Sequence, residues 1–438
     1  MSLVAFGVVC LRYLYSEVNL EMKSYRKIIH LIVVISFITL LIAPTFSGAA
    51  DVNLSPALST TIERDYWPTD GWLNSTPEEQ GMDSTKLIEM MENVDDQYYD
   101  LHSVVIARHG RIVFEEYPDH RYDADQIHRL YSATKSVLSA LIGIAIQEGF
   151  IESTDVRVID FFPDYTFANM TPQKERMTLW HLLTMTSGVE WDEWSVPYEH
   201  PENSIGLMWQ SGDPIQYFLD LPMANEPGEN WIYNSGGSLL MSYIINETTG
   251  LLPLDFAIEY LFEPLGITSH HWITDLNGIH SGSGELFLTP RDMTKFGYLF
   301  LNNGTWADEQ IVPAGWVTGS TNTTLIQDEA DEHRGYGLHW WTRPTVGAYY
   351  ASGRFGQHIF VVPEYDLVVT FTGGIPDGDV YPGFLLLYQY ILPSIMSEMS
   401  TSPLGIAPLI ITLIALVVPI TCAGLYWKRL TSTACGFA

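Results

Sequence analysis

Three cysteines occur in 438 residues, Cys10, Cys422 and Cys435, and none lies between positions 51 and 403. The central body therefore has no disulfide, no thiol nucleophile and no cysteine-based metal site. Basic residues are scarce too, with 21 Lys and Arg against 52 Asp and Glu and a formal charge of −31. Six of the 21 (Arg12, Lys23, Arg26, Lys27, Lys428 and Arg429) sit near the ends, leaving 15 basic and 50 acidic side chains in 51–403. A surface of that sign repels phosphate, which argues against nucleic acid as a partner. Several catalytic signatures are missing. No Gly-x-Ser-x-Gly occurs, which disfavours an α/β-hydrolase elbow; no His-Glu-x-x-His and no Gly-x-x-x-x-Gly-Lys occurs either. His270-His271 with His280 has no recognised ligand spacing, and Asp119, Asp123 and Asp125 lack that of a calcium loop.

What is present suits a large folded body with appendages. Hydrophobic residues make up 47% and charged ones 17% of the chain, enough for a sizeable core. Met22-Lys-Ser-Tyr-Arg-Lys27 is basic, residues 28–43 are apolar, and Ser47-Gly-Ala-Ala50 is small. This order is that of a secretory signal peptide within residues 1–50, with a start more natural at Met22 than at Met1, and an uncleaved N-terminal anchor is the competing reading. Residues 404–427 form 24 positions without a charge, closed by Lys428-Arg429. As a helix they extend about 36 Å, enough for a bilayer core. The basic pair predicts a cytoplasmic tail, 428–438, and places an extracellular domain over 51–400. Asn53, Asn74, Asn169, Asn246, Asn303 and Asn322 begin glycosylation sequons in that part.

Within this domain, 103–109 and 111–116 read as a hairpin around Gly110. From 132 to 265 the pattern is mainly helical, as at 179–185, 215–221 and 238–247. Strand signals return at 338–343, 348–352, 358–363 and 367–372, followed by a helical pattern over 382–396. The implied α+β architecture is an antiparallel sheet from both chain ends, flanked by helices, with an inserted mainly helical region.

The chemistry gathers at Ser132-Ala-Thr-Lys135, which opens an apolar run. On a helix, residues three apart share a face, so hydroxyl and amine can meet. A lysine in an apolar setting loses some preference for its charged form and can take the serine's proton. The same spacing at Ser24/Lys27 falls in the basic N-terminal segment and is a coincidence. Tyr233-Asn-Ser235 follows Pro227-Gly228 in a turn-rich stretch, and a phenol there suits proton relay. Ser352-Gly353-Arg354-Phe355-Gly356-Gln357 joins two predicted strands, and its glycines permit close backbone approach.

Taken together, these motifs resemble the β-lactamase-type serine hydrolases: class C β-lactamases, penicillin-binding DD-peptidases, and the esterase and nylon-oligomer-hydrolase branch. The resemblance covers about 70–395. Further support comes from His181-Leu-Leu-Thr-Met-Thr-Ser-Gly188, Leu261-Phe-Glu-Pro-Leu-Gly266 and Thr289-Pro-Arg-Asp-Met-Thr-Lys-Phe-Gly297. It implies Ser132 as acylated nucleophile, Lys135 as its base and Tyr233 as a second proton-transfer group. The backbone N–H groups of Ser132 and Gln357 are the implied oxyanion donors, and Ser235, Arg354, Phe355 and Gly356 the implied substrate-side residues. No metal or cofactor is implied, and the implied partner is a small ester, amide or peptide. Two departures matter: Ser235 stands where class C enzymes have Asn, and Arg354-Phe355-Gly356 stands where Lys-Thr-Gly is usual. These favour esters and simple amides over lactams. A DD-peptidase or β-lactamase acting on cell-wall-like substrates is the alternative enzyme, and a non-catalytic surface binding protein the alternative class. The sequence leaves the oligomeric state open.

Overall fold

The computed structural model describes residues 64–322, 325–326, 334–376 and 382–395, all within the second of two units, Thr61–Ala438. The expected signal segment and the expected C-terminal span lie outside the described residues. Among the described residues, no helix is long and apolar enough to cross a membrane.

Eight antiparallel strands form the main sheet. In chain order they are β1 (Leu101–Arg108), β2 (Arg111–Glu116), β3 (Leu325–Ile326), β4 (Gly335–Tyr336), β5 (Trp341–Arg343), β6 (Ala348–Gly353), β7 (Gln357–Val362) and β8 (Leu367–Gly373). Their order across the sheet is β2-β1-β8-β7-β6-β5-β4-β3, so the first hairpin lies beside the last strand, as the sequence implies. Val104 faces Phe371 and Ile106 faces Val369 across that junction. The β1–β2 hairpin turns through His109 (φ 51°) and Gly110 (φ 76°), the paired left-handed conformation that suits the twist of a two-residue turn.

Both sheet faces are covered. Helix α1 (Ser84–Asp96) is N-capped by Asp83, whose side chain accepts from the Thr85 N–H. It buries Leu87, Met90 and Val94, positions on one helical stripe, in a cluster with Phe371 and Ile391. On the opposite face lie α2 (Thr134–Gln147), α3 (Ser235–Thr249) and α4 (Pro290–Leu301), whose side chains share a second cluster with Ile359, Val361 and Val368 of the sheet. Gly297 lets α4 seat tightly, because a β-carbon there would lie 2.7 Å from both Ile359 and Val368. Helix α2 is buried from Thr134 to Ala145, which marks it as a core helix rather than an amphipathic surface one.

The strand expected at 338–343 begins only at Trp341. His339 has φ 61°, and its N–H donates to Gly337 O at 3.1 Å, so a turn replaces the first half of that strand.

Candidate active site

The polypeptide enters α2 through a 3-10 turn, Tyr131–Ala133. Tyr131 has φ 47°, a conformation that costs a bulky side chain about 1–3 kcal/mol and persists only where surrounding contacts impose it. Those contacts come from the β6–β7 hairpin. A β-carbon on Gly353 would lie 2.0 Å from Leu130 O and 3.2 Å from Ala133 N, so only glycine lets the strand edge touch the turn. Phe355, itself at φ 63°, packs its ring edge-on to Tyr131 at 5.0 Å.

Ser132, half-buried at this turn, and Lys135, 1% exposed, fall one helical turn apart. Lys135 Nζ lies 3.2 Å from Ser132 Oγ and donates to Ser283 O at 2.6 Å. It also sits 5.0 Å from the centre of the Tyr233 ring. Burial pushes the Lys135 ammonium down to about 8, against the opposing pull of Glu193 and Glu285. The glutamates differ, because Glu285 is paired with Arg129. Beneath α2, Ser136 and Ser139 hydroxyls donate to the carbonyls of His339 and Leu338, both at 2.7 Å, clamping the helix to the turn that precedes β5. His339 lies 2.9 Å through Nδ1 from Leu183 O and 3.0 Å through Nε2 from Ser238 Oγ. A carbonyl only accepts, so Nδ1 carries the hydrogen. Burial, with the Lys135 charge adding to it, holds the imidazole neutral, down to about 3.

Tyr233, 6% exposed, belongs to a ladder of near-parallel rings. Trp194 stacks on it at 5.0 Å and Trp341 at 5.9 Å, and Tyr350 stacks in turn on Trp341 at 6.4 Å. The ladder walls a cleft of about 700 Å³ that Ser132, Glu193, Tyr198, Gly353 and Arg354 also line. A second opening of about 310 Å³ shares Ser132, Tyr198 and Arg354 and adds Tyr131, Ser235, Glu285 and Phe355. Ser132 thus stands where two openings meet.

The structure therefore brings Ser132, Lys135, Tyr233, Ser235, Arg354 and Phe355 to one site. Two sequence expectations sit elsewhere. Gly356 packs against Ile375, 2.5 Å from where its β-carbon would stand, and lines neither opening. Gln357 pairs with Gly353 across the hairpin, is 2% exposed, and donates its side-chain amide to Gly373 O at 2.7 Å. Gly353 touches the turn that carries Ser132 and Arg354 follows it, so the tripeptide that ends on the close-approach glycine is Ala351-Ser352-Gly353, three residues before the expected Arg354-Phe355-Gly356. The Arg354 guanidinium reaches Glu199 at 2.8 Å.

One residue went unread in the sequence. Glu193, 2% exposed, accepts from Ser235 N–H and Ser235 Oγ, both at 2.8 Å, and from Trp191 Nε1 at 2.7 Å. Tyr198 Oη, pushed up by burial and kept as a phenol, donates to it at 3.1 Å. Val189, Trp191 and Glu193 are buried while Glu190, Asp192 and Trp194 are exposed, a period of two that places Glu193 on the inward face. Elsewhere among the described residues, Asp100, His102 and Asp119 offer three ligand atoms within 4.8 Å, but Arg121 already pairs with Asp119.

A buried lysine bonded to a serine at a helix entrance, beside a strand edge and a stacked tyrosine, is the geometry of serine acyl transfer. The sequence profile described as Beta-lactamase matches residues 102–373, more than half of the chain, and the protein belongs to the Beta-lactamase family, as a serine hydrolase. It is similar to 6-aminohexanoate-dimer hydrolase of Paenarthrobacter ureafaciens, 23% identical over 315 residues that span 68% of this chain and 78% of that one. The fold is similar to that of a 6-aminohexanoate-dimer hydrolase homologue from Bacillus anthracis, with TM-score 0.60, 22% identity, and coverage of 70% of this chain and 82% of the other. A simvastatin synthase from Aspergillus terreus also shares the fold, with TM-score 0.55, 16% identity, and coverage of 73% and 99%.

Proposed function

We propose that the protein cleaves a small ester, amide or peptide through an acyl-enzyme on Ser132. The observation that carries this reading is the 3.2 Å contact between Ser132 Oγ and a lysine whose burial brings it down to about 8. Ser132 Oγ attacks the substrate carbonyl carbon while its proton passes to Lys135 Nζ. The resulting oxyanion is met by the backbone N–H groups of Ser132 and Arg354, the latter replacing Gln357 because Arg354 follows the glycine that touches the nucleophile turn. The bond to the leaving oxygen or nitrogen then breaks. Tyr233 gives its proton to that atom and regains one from the Lys135 ammonium. Water then attacks the acyl carbon, losing a proton to the neutral Lys135 amine, and as the acyl–Oγ bond breaks Lys135 returns that proton to Ser132 and the acid is released.

The relative's name supports a simple amide or ester rather than a lactam, as does the absence of lysine from Ala351-Ser352-Gly353. We also propose that the domain is extracellular, exported by the segment ending near Ala50 and anchored by residues 404–427, a reading that rests on sequence pattern alone. The test is a turnover screen of the secreted domain on p-nitrophenyl esters, simple amides and β-lactams. Ester or amide turnover that outruns lactam turnover supports the proposal, and turnover confined to lactams overturns the substrate reading.

A further inference from the structure

We propose that Glu193 is a positioning residue for this reaction, a buried carboxylate that fixes the Tyr233 turn and acts as the counter-charge of Lys135. The inference rests on Ser132 and Lys135 being nucleophile and base, and its test separates the two.

Four donors occupy the carboxylate. Trp191 Nε1 and the Ser235 N–H reach Oε2, while Ser235 Oγ and Tyr198 Oη reach Oε1. An ionised carboxylate offers about four lone-pair sites, so the geometry fills them all. Ser235 is the first residue of α3, where helical N–H groups are free and an anion is favoured. Tyr233 lies two residues earlier, so bonding both the amide and hydroxyl of Ser235 fixes the path of the turn that carries the phenol. Through Tyr198 the same carboxylate holds a residue that lines both openings. Ser235 is thereby turned inward, which accounts for a serine at this motif position.

The second role follows from what surrounds Lys135. It contacts Ser132 Oγ, Ser283 O and the Tyr233 ring, and the charges of Glu193 and Glu285 act on it while the nearby His339 is neutral. Glu285 is compensated by Arg129. Among the described residues Glu193 has no ion-pair partner, so its charge acts on the lysine without a neutralising neighbour. Removing that charge makes Lys135 easier to deprotonate, whereas a purely structural glutamate leaves the lysine where it was.

The experiment is the pH profile of kcat/KM for an activated ester between pH 5 and 10, in the wild type, E193Q and E193D. In the wild type, activity rises with pH as Lys135 loses its proton. In E193Q the plateau drops at least tenfold and the acidic limb moves down by roughly half a pH unit or more. E193D keeps the charge and holds the limb in place with a lowered plateau. This variant carries the test alone if the glutamine variant does not fold, because a limb that moves in E193D overturns the proposal. An E193Q limb coincident with the wild type also overturns it, whatever the plateau. A wild type without an acidic limb sinks the Lys135 reading instead.

Discussion

Gly353 lies against Leu130 so closely that a β-carbon would stand 2.0 Å from the Leu130 carbonyl oxygen. The contact joins the strand edge to the nucleophile turn, and no rotamer relieves it because the obstacle is backbone. Gly353→Ala is expected to part the hairpin from the turn and lower ester turnover by at least 100-fold. Gly319→Ala is the control: nothing lies within 4 Å of its β-carbon, and alanine in a helix is favoured by up to about 1 kcal/mol. Paired measurements of kcat and thermal midpoint check this; equal effects of the two substitutions would refute it.

The proposed second oxyanion donor, the Arg354 N–H, is a backbone group, so side-chain removal and N–H removal are expected to differ. Arg354 has a helical conformation after an extended Gly353 (φ −130°, ψ 157°), a setting that accepts proline. Arg354→Pro is expected to lower kcat 100-fold or more, in the range seen when such a donor is lost, while Arg354→Ala stays within about tenfold. Similar losses in both would return the role to another group.

Tyr233→Phe keeps the ring ladder with Trp194 and Trp341 and removes only the hydroxyl. The expected result is a kcat lower by about 100- to 10,000-fold with the thermal midpoint little changed. Unchanged turnover would remove the phenol from the proton path.

Lys135 also leaves a signature in stability. Its folded-state value, about 8, lies below the ordinary lysine value, so between the two the unfolded chain binds more protons. Stability of the wild type relative to Lys135→Met is therefore expected to rise as pH climbs above about 8, by a few kcal/mol at most. Denaturant unfolding at pH 7, 8.5 and 9.5 checks the sign, and a gap that stays constant would contradict it.

Much of this site was legible because its parts are local. Ser132 and Lys135 are three residues apart, and one turn of helix brings them together. The β6–β7 hairpin announced itself through alternation and glycine. The register of that hairpin against the nucleophile turn was not legible, because it depends on a contact between residues more than two hundred positions apart in sequence. This is why the sequence pattern points to Gln357 at that turn, while the structure brings Gly353 and Arg354 to it. Glu193 escaped for a related reason: its partners, Ser235 and Tyr198, come from separate stretches, and only the inward alternation of Val189, Trp191 and Glu193 hinted at it. His339 shows the converse, where an apolar strand pattern gave way to a left-handed turn that sequence periodicity does not encode.

The most direct test of the account is mass analysis of the intact protein after reaction with a fluorophosphonate, for the wild type and Ser132→Ala. The account expects one adduct on the wild type, mapping to Ser132, and none on the variant. Labelling that persists in Ser132→Ala, or an adduct on another residue, would contradict it.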